Sequence, residues 1–185
     1  MTMLILGAIL FFGAHTVPMS VPLRVALVGR WGANAYKGVF ALCSLAGLVL
    51  MGVGFARSEV AVLWVPPAWA RSLAPVAMWV AFVLLASAYT PTHIRRTVKH
   101  PMMLGVLVWS AMHLLANGER ATLWLFAPFA VYAVASIVSA ERRGKRLGGG
   151  EVAWKFDVMV VAIGSILWGL VWYFHAALFR VSTGW

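Results

Sequence analysis

The sequence predicts an all-α integral membrane protein, a polytopic transmembrane bundle of about six helices. Only 11% of its 185 residues are charged, whereas a soluble domain carries about a quarter, so lipid must solvate much of its surface. Four charge-free runs have nearly the length needed to cross a bilayer: residues 39–56, 73–89, 121–140 and 158–179. They are continuously apolar rather than alternating, which favours helices over the strands of an outer-membrane barrel.

Six spans are predicted along the chain, and together they form one domain, residues 1–185. They cover residues 2–17, 36–56, 73–90, 101–117, 121–140 and 157–180. The first span lacks a charged n-region and a small-residue cleavage site. We therefore expect a membrane helix there and not a removable signal peptide.

The basic residues predict an orientation. Of the 15 lysines and arginines, eleven fall in the first, third and fifth connectors. The positive-inside rule places those connectors in the cytoplasm and both termini on the non-cytoplasmic side. The formal charge of +10 is then explained by topology and by contact with lipid headgroups. The bilayer is therefore the expected partner, and no nucleic acid is expected.

Histidines are the candidates for intramembrane chemistry, because the acidic residues all lie at or near span ends and an ionisable residue inside a span is a functional candidate. His15 closes the first span and His113 lies within the fourth. The helical rise places them at levels only about 6 Å apart in a core of about 30 Å. Both could be axial ligands of haem iron. The alternative is that each only hydrogen-bonds a neighbouring helix.

The third connector, residues 92–105, is the most motif-like segment. His100 precedes Pro101, which suits the first turn of the fourth span. Arg95 and Arg96 could hold a phosphate or a carboxylate near that helix N-terminus. The alternative is that these cations only set the topology.

Two segments together resemble the NnrU family of bacterial membrane proteins. The first is Lys-His-Pro-Met-Met-Leu-Gly at 99–105, followed by Trp109, His113 and Leu-Leu-Ala-Asn-Gly at 114–118. The second is His15 after an apolar helix, then Arg24 and the segment 29–41. The resemblance covers most of the chain. It implies a multi-pass protein of the bacterial inner membrane linked to nitric oxide or denitrification-type redox metabolism.

The zeta-carotene isomerases are similar to that family, and they imply a cofactor. They carry haem b, and their ligand histidines correspond to His15 and His113. Trp109, in the same motif, is a further candidate for binding the cofactor. Ser110 stands where those enzymes have a cysteine, and Val131-Tyr132-Ala133 where they have a His-His pair. Both haem ligands are thus present, and the resemblance implies either redox metabolism or cis–trans isomerisation of an apolar polyene, with the two departures counting against isomerisation.

A looser resemblance links the His-Pro turn to membrane methyltransferases. In that family a similar turn and a glutamate-containing segment on the same side bind S-adenosylmethionine. The corresponding elements here are His100, Arg95 and Arg96 with the segment 141–151. Three functions therefore remain open. They are a haem protein acting on an apolar or small redox substrate, a methyltransferase, and a non-catalytic accessory protein whose histidines only pack.

Overall fold

The computed structural model describes residues 1–144 and 151–179, and within these ranges the chain is almost entirely helical. The α-helices are α1 (Thr2–Thr16), α2 (Val21–Trp31), α3 (Ala33–Ala56), α4 (Ala68–Ala86), α5 (His93–Val98), α6 (Pro101–Ala116), α7 (Arg120–Arg142) and α8 (Trp154–Phe179). One turn of 3-10 helix, Val17–Met19, joins α1 to α2. Three of the 15 lysines and arginines that predict the orientation lie outside the described residues: Lys145, Arg146 and Arg180.

Five helices in the described ranges are long and apolar enough to cross a membrane. They are Thr2–Met19, Ala33–Ala56, Ala68–Ala86, Arg120–Arg142 and Trp154–Ala177. The chain is therefore a multi-pass membrane protein in a lipid bilayer. The predicted fourth span is present as α6, but its 16 residues extend only about 24 Å against a core of about 30 Å. The predicted orientation of the termini stays a prediction.

Helices α2 and α5 occupy segments that hydropathy assigns to connectors. Helix α2 has a proline in its first turn, where the missing N–H costs nothing, and it ends at Gly32 with φ +80°. Thr92 caps the start of helix α5, because its Oγ1 accepts a hydrogen bond from the Arg95 amide at 3.0 Å. Both helices are too short to produce a long apolar run.

Backbone contacts group the described residues into two compact units, and the first comprises residues 1–65 and 118–140. In this unit α1 packs on α3 through glycines. A Cβ added at Gly7 would lie 2.6 Å from the Met51 amide nitrogen and 2.7 Å from the Gly47 carbonyl oxygen. A Cβ at Gly54 would collide with the backbone of Leu4. The two backbones therefore touch along a seam of small residues, a common way to pack helices in lipid.

A short backbone ladder ties the loop after α3 to the start of α7 within the same unit. The Arg120 amide donates to the Ala61 carbonyl at 2.8 Å, and the Leu63 amide donates to the Gly118 carbonyl at 2.7 Å. These bonds satisfy backbone groups that would otherwise be exposed between helices.

The second unit comprises residues 66–117 and the described residues from 141 onwards. Helix α4 packs against both α6 and α8. Gly105 of α6 meets the Ala81 carbonyl, and Gly164 of α8 meets the backbone of Val83. The Trp79 indole N–H donates to the Ser165 hydroxyl at 2.8 Å, which adds a polar bond between α4 and α8.

Candidate functional site

His15 lies in the last turn of α1, half-buried among aromatic rings of the first unit. Its Nδ1 is 2.8 Å from the Phe11 carbonyl oxygen one turn earlier. Its ring stacks on Phe11 with centroids 4.0 Å apart, and the rings of Phe40 and Tyr132 lie 4.9 and 5.7 Å away. The Tyr132 hydroxyl also donates a hydrogen bond to the His15 carbonyl oxygen at 3.4 Å.

His113 lies near the end of α6 in the second unit and repeats this arrangement. Its Nδ1 is 2.8 Å from the Trp109 carbonyl oxygen, again one turn earlier. The Trp109 indole lies beside the imidazole, with centroids 5.4 Å apart. The Asn117 side-chain amide donates to the His113 carbonyl at 3.0 Å. Residues 109–117 thus form a helix end whose local hydrogen bonds fix one imidazole.

The bond to a carbonyl determines which nitrogen of each imidazole carries the proton. A carbonyl oxygen only accepts, so Nδ1 must donate, and Nε2 of a neutral ring then holds the lone pair. A histidine whose Nδ1 is held in this way presents Nε2 as a metal ligand. His15 of the first unit and His113 of the second unit share this property. Among the described residues, no group of three or more His, Cys, Asp or Glu side chains could hold a metal ion.

A further histidine, His175, lies on α8 in the second unit. It is close enough to His113 to interact with it electrostatically, and its ring lies 5.0 Å from that of Phe179. The two histidines are 62 positions apart in the chain, so only the fold of this unit reveals their relation. His175 is therefore an additional candidate near His113.

His93 is part of a clamp between α5 and α8. Its Nδ1 lies 2.7 Å from Asp157 Oδ2, and the Ile94 amide donates to Asp157 Oδ1 at 3.2 Å. The Trp154 indole stacks on the imidazole with centroids 4.2 Å apart. Because Asp157 is buried, both of its oxygens need such partners. The sequence could not reveal this pair, since 63 residues separate the two side chains along the chain.

His100, a predicted cofactor-binding residue, pairs with a carboxylate. Its Nε2 lies 2.7 Å from Glu141 Oε1, at the end of α7. The turn before it is strained, because Lys99 has φ +57° and the His100 amide donates to the Val98 carbonyl at 2.6 Å. A hydrogen bond between residues i and i+2 around a central residue with positive φ, here Lys99, is the rare form of the γ-turn. This turn delivers the imidazole to Glu141.

Arg95 and Arg96, also predicted to bind a cofactor, lie on α5 near this turn. Arg95 is half-buried and Arg96 is exposed. The segment 141–151, predicted to join them, is described only at its ends, because residues 145–150 lie outside the described ranges. The described part of this region is therefore the His100–Glu141 pair beside a basic helix.

These observations define a class of protein: a multi-pass helical membrane protein that carries backbone-anchored histidines on its apolar helices. A family comparison goes further, because residues 3–183 match the family described as NnrU protein. The chain belongs to the NnrU family, and the resemblance predicted from its motifs is confirmed. No curated protein and no solved structure matches the chain.

Proposed function

We propose that this NnrU family membrane protein binds haem b, with Nε2 of His15 and Nε2 of His113 as the ligand atoms. The observation that carries the proposal is the bond from each Nδ1 to the carbonyl four residues earlier, to Phe11 and to Trp109. Such a bond fixes the tautomer and the ring orientation and raises the basicity of the ligand nitrogen.

The surroundings of His15 support a large apolar cofactor. Phe11, Phe40 and Tyr132 line the imidazole within the first unit, so its surroundings are largely apolar and aromatic. Next to His113 the Trp109 indole provides a similar flat apolar surface. Haem b in such a setting would supply one-electron redox chemistry at iron, whose potential depends on its ligands and on burial.

Among the activities implied by the family, redox metabolism linked to nitric oxide fits this chain better than isomerisation of a polyene. Isomerisation needs an open or displaceable ligand position, which an iron with two permanent histidine ligands would not offer. The Ser110 hydroxyl donates to the Val106 carbonyl at 2.8 Å, so it bonds to the backbone of its own helix. Tyr132, at the position of a His-His pair in the isomerases, packs against His15. We place the protein in the bacterial inner membrane.

The test is a visible spectrum of the full chain, purified in detergent from haem-replete cells, in oxidised and reduced forms. We expect a Soret band, and we expect His15→Ala and His113→Ala each to lower haem affinity by at least about tenfold. His100→Ala is the matched control, because that imidazole pairs with Glu141 and should not affect haem content. A colourless wild-type protein would overturn the proposal.

His175→Ala checks the assignment of the second ligand. We expect it to change haem content by less than about threefold, because His113 and not His175 has the Nδ1 anchor one turn earlier on its own helix. If His175→Ala removes the Soret band while His113→Ala keeps it, His113 is wrong as a ligand even though the protein binds haem.

The methyltransferase alternative depends on the His-Pro turn that contains His100, the control residue of the haem test. A cofactor that used the His100 imidazole would have to open its pair with Glu141. We expect no calorimetric heat on adding S-adenosylmethionine to the full chain. Binding that disappears in His100→Ala would favour the methyltransferase, and a protein that binds neither cofactor would favour the accessory role.

A further inference from the structure

A cavity of about 220 Å³ lies in the first unit, where the 3-10 turn, α2 and the start of α3 meet. Its lining consists of Pro18, Arg24, Tyr36, Lys37 and Phe40. Two of these five side chains are cationic and two are aromatic. The cavity is therefore an apolar cleft with positive charge at its wall.

No carboxylate of this part of the chain balances that charge. The acidic residues of the first unit are Glu59, which follows α3, and Glu119, which precedes α7, and neither forms a salt bridge with Arg24 or Lys37. Among the described residues, the salt bridges are His93 with Asp157 and His100 with Glu141, both in the second unit. Two cations beside one cleft repel each other unless an anion lies between them. Arg24 and Lys37 thus form a site of unbalanced positive charge.

The Tyr36 hydroxyl provides an independent observation. The oxygen is buried and has no hydrogen-bond partner among the described residues. An unsatisfied buried hydroxyl is unfavourable, and such groups in native proteins call for an explanation. A hydroxyl can donate to an anionic oxygen, which would satisfy it and strengthen the bond. An oxyanion therefore explains both the two cations and the unpartnered hydroxyl.

Helix α2 indicates where that oxyanion comes from. It has no buried residue, and it exposes the apolar side chains of Val21, Leu23 and Val25 together with Arg24 and Arg30. A short helix with exposed apolar and basic residues lies in the interface of a membrane. The most abundant oxyanion in that plane is the phosphate of a phospholipid headgroup.

We propose that the cleft of Arg24, Tyr36 and Lys37 binds the phosphate of an anionic phospholipid headgroup. The two cations attract the charge, the Tyr36 hydroxyl donates to a phosphate oxygen, and Pro18 and Phe40 contact the glycerol region. Anionic lipid is preferred over phosphatidylcholine, because the choline cation would be repelled by Arg24 and Lys37.

The experiment measures lipid binding to the full chain as purified, after delipidation in maltoside detergent. Phosphatidylglycerol is titrated by native mass spectrometry. We expect Arg24→Gln to weaken binding by about tenfold or more and Tyr36→Phe by about fivefold. Arg30→Gln is the matched control, since Arg30 lies on the same helix outside the cleft lining, and it should stay within about twofold.

Tyr36→Phe also separates binding from structure. The variant removes an unsatisfied buried hydroxyl, so the lipid-free protein should be at least as thermally stable as the wild type. A variant that melts earlier without lipid and binds lipid normally would contradict the assignment, because the hydroxyl would then serve the fold.

Three other outcomes would overturn the proposal. Equal weakening in Arg30→Gln and Arg24→Gln would mean that surface charge alone attracts the lipid. Inorganic phosphate that stabilises the protein as well as phosphatidylglycerol does would identify the ligand as the free ion. Because Phe40 also contacts His15, a haem carboxylate is the third source. It would be indicated if Arg24→Gln lowers haem content and leaves lipid binding unchanged.

Discussion

In both units, polar side chains of the long helices bond to the backbone of their own helix, but among the described residues the second unit adds several side-chain pairs between different elements. His15 bonds the Phe11 carbonyl and Ser44 the Phe40 carbonyl, each one turn earlier. In the second unit, pairs of side chains join α4 to α8, α5 to α8, and the turn before α6 to the end of α7. Lipid gives helices little hydrophobic reason to associate, so the first unit depends on close backbone packing and the second adds polar bonds.

The largest effect should come from breaking the glycine seam of the first unit. Gly7→Ala places a methyl group within 2.7 Å of backbone atoms of α3, so α1 and α3 must separate. We expect the free energy of unfolding in mixed detergent micelles to fall by about 3 kcal/mol. Gly13→Ala on the same helix meets open space and should be neutral or stabilising by up to about 1 kcal/mol. Equal losses in both variants would show that the seam does not hold the unit.

The next effect concerns the clamp of the second unit. Asp157→Ala removes the acceptor of the His93 imidazole and of the Ile94 amide, so α5 loses its bonds to α8. We expect a loss of about 2 kcal/mol in the same unfolding assay. Asp157→Asn, which keeps an acceptor oxygen, should lose less. Glu151→Ala, at an exposed position before α8, is the control, and a loss as large as that of Asp157→Ala would contradict the clamp.

The smallest effect tests the polar bond between α4 and α8. Trp79→Phe removes the indole donor to Ser165 and should cost about 0.6 kcal/mol, as is typical of interhelical hydrogen bonds in membranes. In a double-mutant cycle with Ser165→Ala the two losses should not add. Trp69→Phe, at an exposed position on α4, should be neutral. Fully additive losses for Trp79 and Ser165 would mean that the bond contributes nothing.

Local features of the chain made part of the candidate site predictable. Hydropathy located all six apolar helices, and the family motifs selected His15 and His113. The anchoring of both imidazoles is also local, since a helix places the carbonyl of residue i−4 beside the side chain of residue i. Helices α2 and α5 were missed because a helix of 11 or 6 residues gives no long apolar run. The cleft of Arg24, Tyr36 and Lys37 was not predicted either, because Arg24 and Lys37 were assigned to a connector.

The sequence by itself determined that this protein crosses a membrane and belongs to the NnrU family, since composition, apolar runs and motifs are properties of contiguous residues. Only the tertiary structure decided which polar groups meet. His93 with Asp157, His100 with Glu141 and Trp79 with Ser165 are each 41 positions or more apart in the chain. Hydropathy carries no information about which faces of two helices meet. The faces that meet are determined by glycines such as Gly7 and Gly164. At these positions the backbones of two helices approach closely enough to fix the rotation of each helix about its axis.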